Sequence, residues 1–244
     1  MRVERLALVA VATLGLVVLA ACGGDEATMS APTGTAGQLP TQRFAAHYVD
    51  SAPVHGTAYS VVPDKVLINF DFTLTPPSTI TVAKDGVAVQ TGATSITGAN
   101  RLSLTAPLPR DGGDGLCVVT YRACWPDRSC HDGQFAFRVD SKLTGTYGDM
   151  TGKAEVKVGM KDIKFSPARI VVSQGTKVVW TNNEAVPHFV NTDPHPSHNN
   201  LPGLNSLDLR EGQSYTFTFV QAGEWAYHCS AHYPQGMVGS VLVR

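Results

Sequence analysis

The chain has 244 residues, with 19 Lys and Arg set against 20 Asp and Glu, a formal net charge of -1. A surface so evenly charged offers no basic field for nucleic acid, so no nucleic-acid partner is expected, and there is no acidic interaction tail. About 200 residues remain beyond the amino-terminal segments, enough for one large or two ordinary β domains.

Residues 1–22 place Arg2 and Arg5 ahead of an apolar stretch that ends in Leu19-Ala20-Ala21-Cys22. That stretch is too short, and too abruptly ended by Cys22, for a spanning helix, and it reads as an export signal. Leu-Ala-Ala-Cys resembles the bacterial lipobox, whose cysteine is lipidated and becomes the mature terminus. The resemblance implies lipidation at Cys22 and an extracytoplasmic protein anchored to the cell membrane by that lipid. An ordinary secretory signal with an incidental Cys is the alternative. Either one places the mature chain where thiols tend to be oxidised. Residues 23–45 are rich in Gly, Ala, Thr and Pro without apolar periodicity and read as a flexible tether.

Strand signals fill residues 46–140. "KVLINFDF" at 65–72 alternates Val66, Ile68, Phe70 and Phe72 on one face, and "TITVAKDGVAVQ" at 79–90 carries an Asp85-Gly86 turn between two β-branched runs, the mark of a hairpin. "CVVTY" and "QFAFRV" continue the pattern. The polar, Gly-containing stretch 141–153 is the expected linker. Residues 154–244 repeat the style in "AEVKV", "ARIVVSQGTKVVWTN", "QSYTFTFVQAGEWAYHC" and "GSVLV", with Gly175 and Gly223 between strand pairs. No window outside the signal shows a sustained helical stripe. The expected fold is all-β, two β-sandwich domains in succession.

The second half concentrates the chemistry. "AYHCSAHYPQGMVG", Ala226 to Gly239, holds His228, Cys229, His232 and Met237. One thiolate, imidazoles and a weak thioether suit copper, because a trigonal His₂Cys site with a long axial Met holds both oxidation states in nearly one geometry. Cys229 and His232 are spaced Cys-x2-His and Met237 follows four residues later, so one tight loop supplies three donors. A further donor should come from another strand, and His188, just beyond Pro187 in "WTNNEAVPHFV", is the candidate. "VVWTNNEAVPHFV" with "GEWAYHCSAHYPQGMVGSVLV" resembles the cupredoxins, specifically their plastocyanin-like branch, over roughly Glu155 to Arg244. The resemblance implies a cupredoxin sandwich holding one type 1 copper on His188, Cys229, His232 and Met237. It also implies electron transfer rather than enzymatic catalysis, with transient redox protein partners docking on an apolar patch near His232. Met237, Val238, Pro234 and Pro202 are the expected rim. The competing reading makes Cys229 a disulfide cysteine and the histidines surface residues.

Adjacent strand residues point to opposite sides, so a Cys229 that faces the metal turns His228 away. In multicopper oxidases and copper nitrite reductases that outward His binds a second copper, together with further His-rich motifs. This chain has no His-x-His pair, and His228 is expected to be a partly exposed bystander. "NTDPHPSHNNLPG" at 191–203 holds Asp193, His195 and His198, and reads as a polar surface loop. An accessory metal site from those three residues is the alternative.

"AAHYVDSAPVHGTAYSVVPDKVLINFDFTL" and "GLCVVTYRACWPDRSCHDGQFAFRV" resemble the CopC-like copper-binding domain, an Ig-like Greek-key sandwich, over His47 to Val139. That family's site uses an amino-terminal His and a later Asp-x-His. Here the mature terminus would be Cys22 and Ser129 stands where the Asp would be, so a degraded or absent site is expected, with His47 and His131 as remnants. Cys117 and Cys124 share one extended run, about 23 Å at roughly 3.3 Å per residue, too far to bridge. Cys124 and Cys130 flank the turn-like "WPDRS" and are the expected disulfide, leaving Cys117 as a buried small hydrophobe. A Cys–His copper cluster from Cys124, Cys130 and His131 is the alternative. Copper storage or delivery stands beside electron transfer as the second reading of the whole chain.

Overall fold

Alternating β-branched and aromatic residues bury one face per strand, and two such sandwiches account for most of the chain. The computed structural model describes residues 38–89 and 91–244; the export signal, Cys22 and most of the tether lie outside the described residues. The first sandwich runs β1 (Tyr48–Ala52), β2 (Ala58–Tyr59), β3 (Lys65–Phe70), β4 (Thr79–Lys84), β5 (Val87–Val89), β6 (Ser95–Thr97), β7 (Ser103–Pro107), β8 (Gly115–Cys124) and β9 (Cys130–Val139). Its sheets are ordered β1-β3-β7-β6 and β2-β9-β8-β4-β5. Val66, Ile68, Phe70, Leu104, Val119, Tyr121, Phe135 and Phe137 meet between them. Asp85 and Gly86 both take positive φ, 49° and 83°, and pair Lys84 with Val87 in a two-residue hairpin. The long β8/β9 hairpin is in register from Gly115 opposite Val139 to Cys124 opposite Cys130.

One expectation in this half is corrected. β3 ends at Phe70, and Phe72 is half exposed, stacked on His47 with ring centroids 5.0 Å apart. Both faces of β3 are covered: Leu67 and Asn69 are also buried, the latter hydrogen-bonded to Asp50, Ser103 and Asn199. Asn199 belongs to the second sandwich, so β3 reads as continuous rather than alternating burial because its second face is an interface.

The second sandwich comprises β10 (Gly148–Asp149), β11 (Glu155–Lys161), β12 (Lys164–Ser166), β13 (Arg169–Val172), β14 (Thr176–Asn182), β15 (Asn191–Thr192), β16 (Ser214–Phe219), β17 (Gly223–His228) and β18 (Val238–Val243). Its sheets are ordered β10-β13-β18-β17-β15 and β12-β11-β14-β16. Trp180, Phe219, Trp225 and Tyr227 fill the core with Val158, Met160, Ile170 and Val241. Tyr227 lies across from Gly239 so closely that a Cβ there would meet the ring at 2.3 Å, which fixes the ends of β17 and β18 against each other.

The polar stretch 141–153 is built into the structure. Ser141–Thr146 forms a 3-10 turn capped by the Asp140 carboxylate on the Lys142 N–H, and β10 then pairs with β13. The sandwiches meet through two polar seams. At one, buried Glu224 on β17 accepts from the Ser60 N–H (2.6 Å) and hydroxyl (2.8 Å), from Tyr147 (2.5 Å) and from Ser240 (3.1 Å). Four donors offset the desolvation of a buried carboxylate. Burial and the Glu224 charge raise the Tyr147 phenol above its ordinary range, keeping it a donor. At the other, Asp50 accepts from the Ser197 N–H (2.9 Å), Asn69 exchanges bonds with Asn199, and Lys65 Nζ reaches the Asn200 carbonyl (3.0 Å).

Candidate metal centre

The first donor comes from the segment after β14. Asn182 at the strand end is fully buried and its amide donates to the carbonyls of Val186 and Leu209, both at 2.8 Å, which folds residues 183–188 back over the core. His188 is then held by paired backbone bonds with Leu209. The other donors come from the connection between β17 and β18. The Cys229 N–H bonds the Met237 carbonyl (3.0 Å), the His232 N–H bonds the Cys229 carbonyl (3.0 Å), and the Met237 N–H bonds the His232 carbonyl (3.2 Å). Gly236 closes the loop at φ 79°, a left-handed conformation that suits glycine.

These two connections bring Cys229 Sγ to 3.7 Å from His188 Nδ1 and 3.3 Å from His232 Nδ1. All three donor atoms lie within 4.8 Å of one another. His188, Cys229 and Met237 are buried, whereas His232 is half-buried and is the donor that approaches solvent. The Phe189 N–H points at Cys229 Sγ (3.3 Å), a donor suited to a thiolate. Glu184 holds His188 Nε2 at 2.6 Å, so the Nε2 proton faces the carboxylate and Nδ1 turns its lone pair toward the sulfur. Glu184 is itself fixed by the Ile163 N–H (3.1 Å), which with His188 keeps its carboxyl below the usual carboxylate range. Burial, then the neighbouring His188, lowers the His232 imidazole pKa. Metal bonds of about 2.0–2.3 Å to nitrogen and sulfur fit donor separations of this size, and a soft, buried Cys–His₂ set with a thiolate donor fits copper.

Cys229 is free, which removes the disulfide alternative for it. Met237 is buried and does not belong to a rim, while Pro202, Pro234 and Val238 are exposed.

His228 does point away from Cys229, but it is fully buried, which corrects the expectation of a partly exposed residue. Its Nδ1 meets Asp193 at 2.6 Å and its Nε2 meets His198 Nε2 at 3.1 Å; His198 in turn meets His195 Nδ1 at 3.3 Å. The 191–203 stretch is therefore no free surface loop: it folds over the back of β17. The physical reason is the first sandwich, whose Asp50, Asn69 and Lys65 take up the polar backbone and side chains of residues 197–200. Burial and the neighbouring His228 and His195 push the His198 pKa down to about 4 and lower that of His195. The sequence signal for this cluster is His-x2-His at 195 and 198, a spacing distinct from His-x-His.

In the first sandwich Cys124 and Cys130 are joined by a disulfide, so no thiol remains for a cluster with His131. Cys117 is buried and free, its thiol pushed up to about 11 by burial. His47 pairs with Asp71 at 2.8 Å, and the rings of His47 and His131 both pack against Trp125. Neither belongs to a group of three metal donors among the described residues.

Residues 152–244 match the family of copper binding proteins described as plastocyanin/azurin, and residues 48–140 match the CopC domain. Plastocyanin of Scenedesmus fuscus is 33% identical over 95 residues, covering 36% of this chain and 97% of that protein. Chloroplastic plastocyanin of Tetradesmus obliquus is 38% identical over 97 residues, 37% of this chain and 67% of that protein. Among solved structures, a purple cupredoxin from Nitrosopumilus maritimus is 28% identical, covering 38% of this chain and 100% of that one at a TM-score of 0.32. The chain belongs to the plastocyanin/azurin family of copper-binding proteins, here joined to a CopC domain, and its cofactor is a type 1 copper.

Proposed function

We propose that the protein is an extracytoplasmic electron carrier, anchored to the cell membrane through a lipid on Cys22, whose copper is held by His188, Cys229, His232 and Met237. The observation that carries this reading is the convergence of Cys229 Sγ with the two Nδ1 atoms in a core already equipped with the Phe189 N–H and Glu184. When bound, copper in such a set supplies one-electron chemistry with little change of geometry. The residues do the rest. The Cys229 loop is closed by three backbone bonds, and Asn182 fixes the His188 segment, so the donors keep their positions whatever the charge at the centre. Burial of His188, Cys229 and Met237 excludes water, and half-buried His232 provides the exit toward a docked partner, for which exposed Pro234 offers apolar surface. Transient redox proteins are the expected partners, and nucleic acid is not.

The Leu-Ala-Ala-Cys sequence supports the anchor, and a bonded Cys124–Cys130 pair suits an oxidising compartment. On the same reading residues 46–140 and 154–244 are the two domains, 141–153 joins them, and residues 23–45 are the tether. The match to a CopC domain favours a second reading, copper storage or delivery.

Adding Cu(II) to the purified protein and recording visible and EPR spectra tests the copper site: an intense thiolate-to-copper band with narrow hyperfine splitting is expected, and a colourless protein with oxidised Cys229 overturns it. Repeated oxidation and reduction with copper retained marks a carrier; copper handed to an acceptor on reduction marks a delivery protein.

A further inference from the structure

We propose that His195, His198 and His228 form a second copper site, directly behind the type 1 centre. The three imidazoles converge from two elements, the 193–200 loop and the end of β17, with their donor nitrogens all within 4.8 Å of one another. The separations of 3.1 Å between His198 and His228 and 3.3 Å between His195 and His198 are close to the nitrogen–nitrogen edge of about 3.3–3.4 Å that metal–nitrogen bonds of about 2.0–2.1 Å set in a tetrahedron.

Hydrogen bonding among the rings accounts for only one of these contacts at a time. His198 Nε2 lies against three atoms at once: His228 Nε2 (3.1 Å), His195 Nδ1 (3.3 Å) and the Ser230 hydroxyl (3.1 Å). A ring nitrogen carries either one proton or one lone pair, so it makes one bond with these neighbours and leaves the others facing it unmet. His228 offers no proton on that side in its neutral form, because the 2.6 Å contact to Asp193 draws the N–H to Nδ1 and directs the Nε2 lone pair inward. A proton on His198 Nε2 satisfies the buried His228 lone pair but leaves His195 Nδ1 without a full partner there, whereas one cation takes a lone pair from each of the three rings.

The support around the rings is that of a metal site. Asp193 orients His228 as Glu184 orients His188, both at 2.6 Å. Tyr233 packs its ring on His195 (4.8 Å) and His228 (4.7 Å), and a cavity lined by Tyr48, Asp50, His55, His195 and Tyr233 opens beside His195. Three imidazoles and one open position suit a divalent ion at the copper end of the affinity series. The peptide bond from His228 to Cys229 joins the two sites covalently, and only this adjacency rests on the type 1 reading above.

Titrating full-length protein with Cu(II), with bound copper counted after dialysis and followed by visible and EPR spectra, tests the proposal. Two coppers per chain are expected, one blue with narrow hyperfine splitting and one weakly coloured with wide splitting. The double variant His195→Gln, His198→Gln should keep the blue copper, which also reports its folding, and lose the other. Cys229→Ser should lose the blue and keep the wide signal, so the two centres fail independently. A wild-type protein that takes up only one copper, or a second copper that persists in the double variant, overturns it.

Discussion

The two sandwiches share an architecture and differ in where they place reactive side chains. In the first, two cysteines at the end of the β8/β9 hairpin bond to each other, and His47 and His131 both pack against Trp125. In the second, the β17/β18 connection brings its cysteine and histidine onto one point from the core side, while His228 on the opposite face meets a loop that the first sandwich holds down. The lesson is that a long hairpin with its cysteines at directly opposed positions favours a bond between them, whereas a strand end opening into a wide loop lets several donors meet. The first sandwich contributes through Asp50, Asn69 and Lys65, which fix the histidine loop of its neighbour.

The comparison is broken most completely at Cys229. Cys229→Ser should abolish the blue band while leaving the far-ultraviolet circular dichroism of both sandwiches unchanged; a variant that stays blue would remove Cys229 from the centre. Metal removal comes next. With copper at about 1,000 times its dissociation constant, binding adds roughly 4 kcal/mol, so chelation should lower Tm by about 8–16 °C for a chain of this size, read by calorimetry. Glu224→Ala leaves the Ser60 N–H and hydroxyl and Tyr147 without their acceptor, at a cost of about 3 kcal/mol. Calorimetry should then resolve two unfolding transitions instead of one, and a single unshifted transition would show that the seam does not couple the sandwiches.

Cys124→Ser should cost about 2 kcal/mol, the low end for a bridge closing a short loop, measured by urea unfolding, and leave the blue spectrum intact. An effect of similar size is expected at Asp50→Ala, where the Ser197 N–H and the buried Asn69 amide both lose their acceptor, at a cost of about 2 kcal/mol. Hydrogen exchange should show it as faster opening of residues 193–200 with no change at Cys229.

Much of this was legible along the chain because the determinants are local. The Asp85-Gly86 hairpin, the two alternating halves and the Cys229-x2-His232-x4-Met237 loop are each set within about ten residues, over which turn chemistry and the period of two are decisive. His188 lies farther off, 41 residues from Cys229; its place after a strand run and Pro187 makes it a candidate, and the resemblance to the cupredoxins assigns it to the copper. The misjudged positions are those whose surroundings come from distant chain. Alternation correctly turned His228 away from Cys229 but carried no information on what covers that side.

The sequence by itself therefore determined two β sandwiches and a copper-type donor set at the end of one strand, because strand period, turn residues and ligand spacing act between near neighbours. Only the tertiary structure decided the rest. The fourfold satisfaction of Glu224 draws on Ser60, 164 residues away, and the burial of His228 beneath His195 and His198 depends on Asp50, 147 residues from Ser197. Such contacts join side chains that no local pattern relates, and they arise only once two separately folded sheets are packed together.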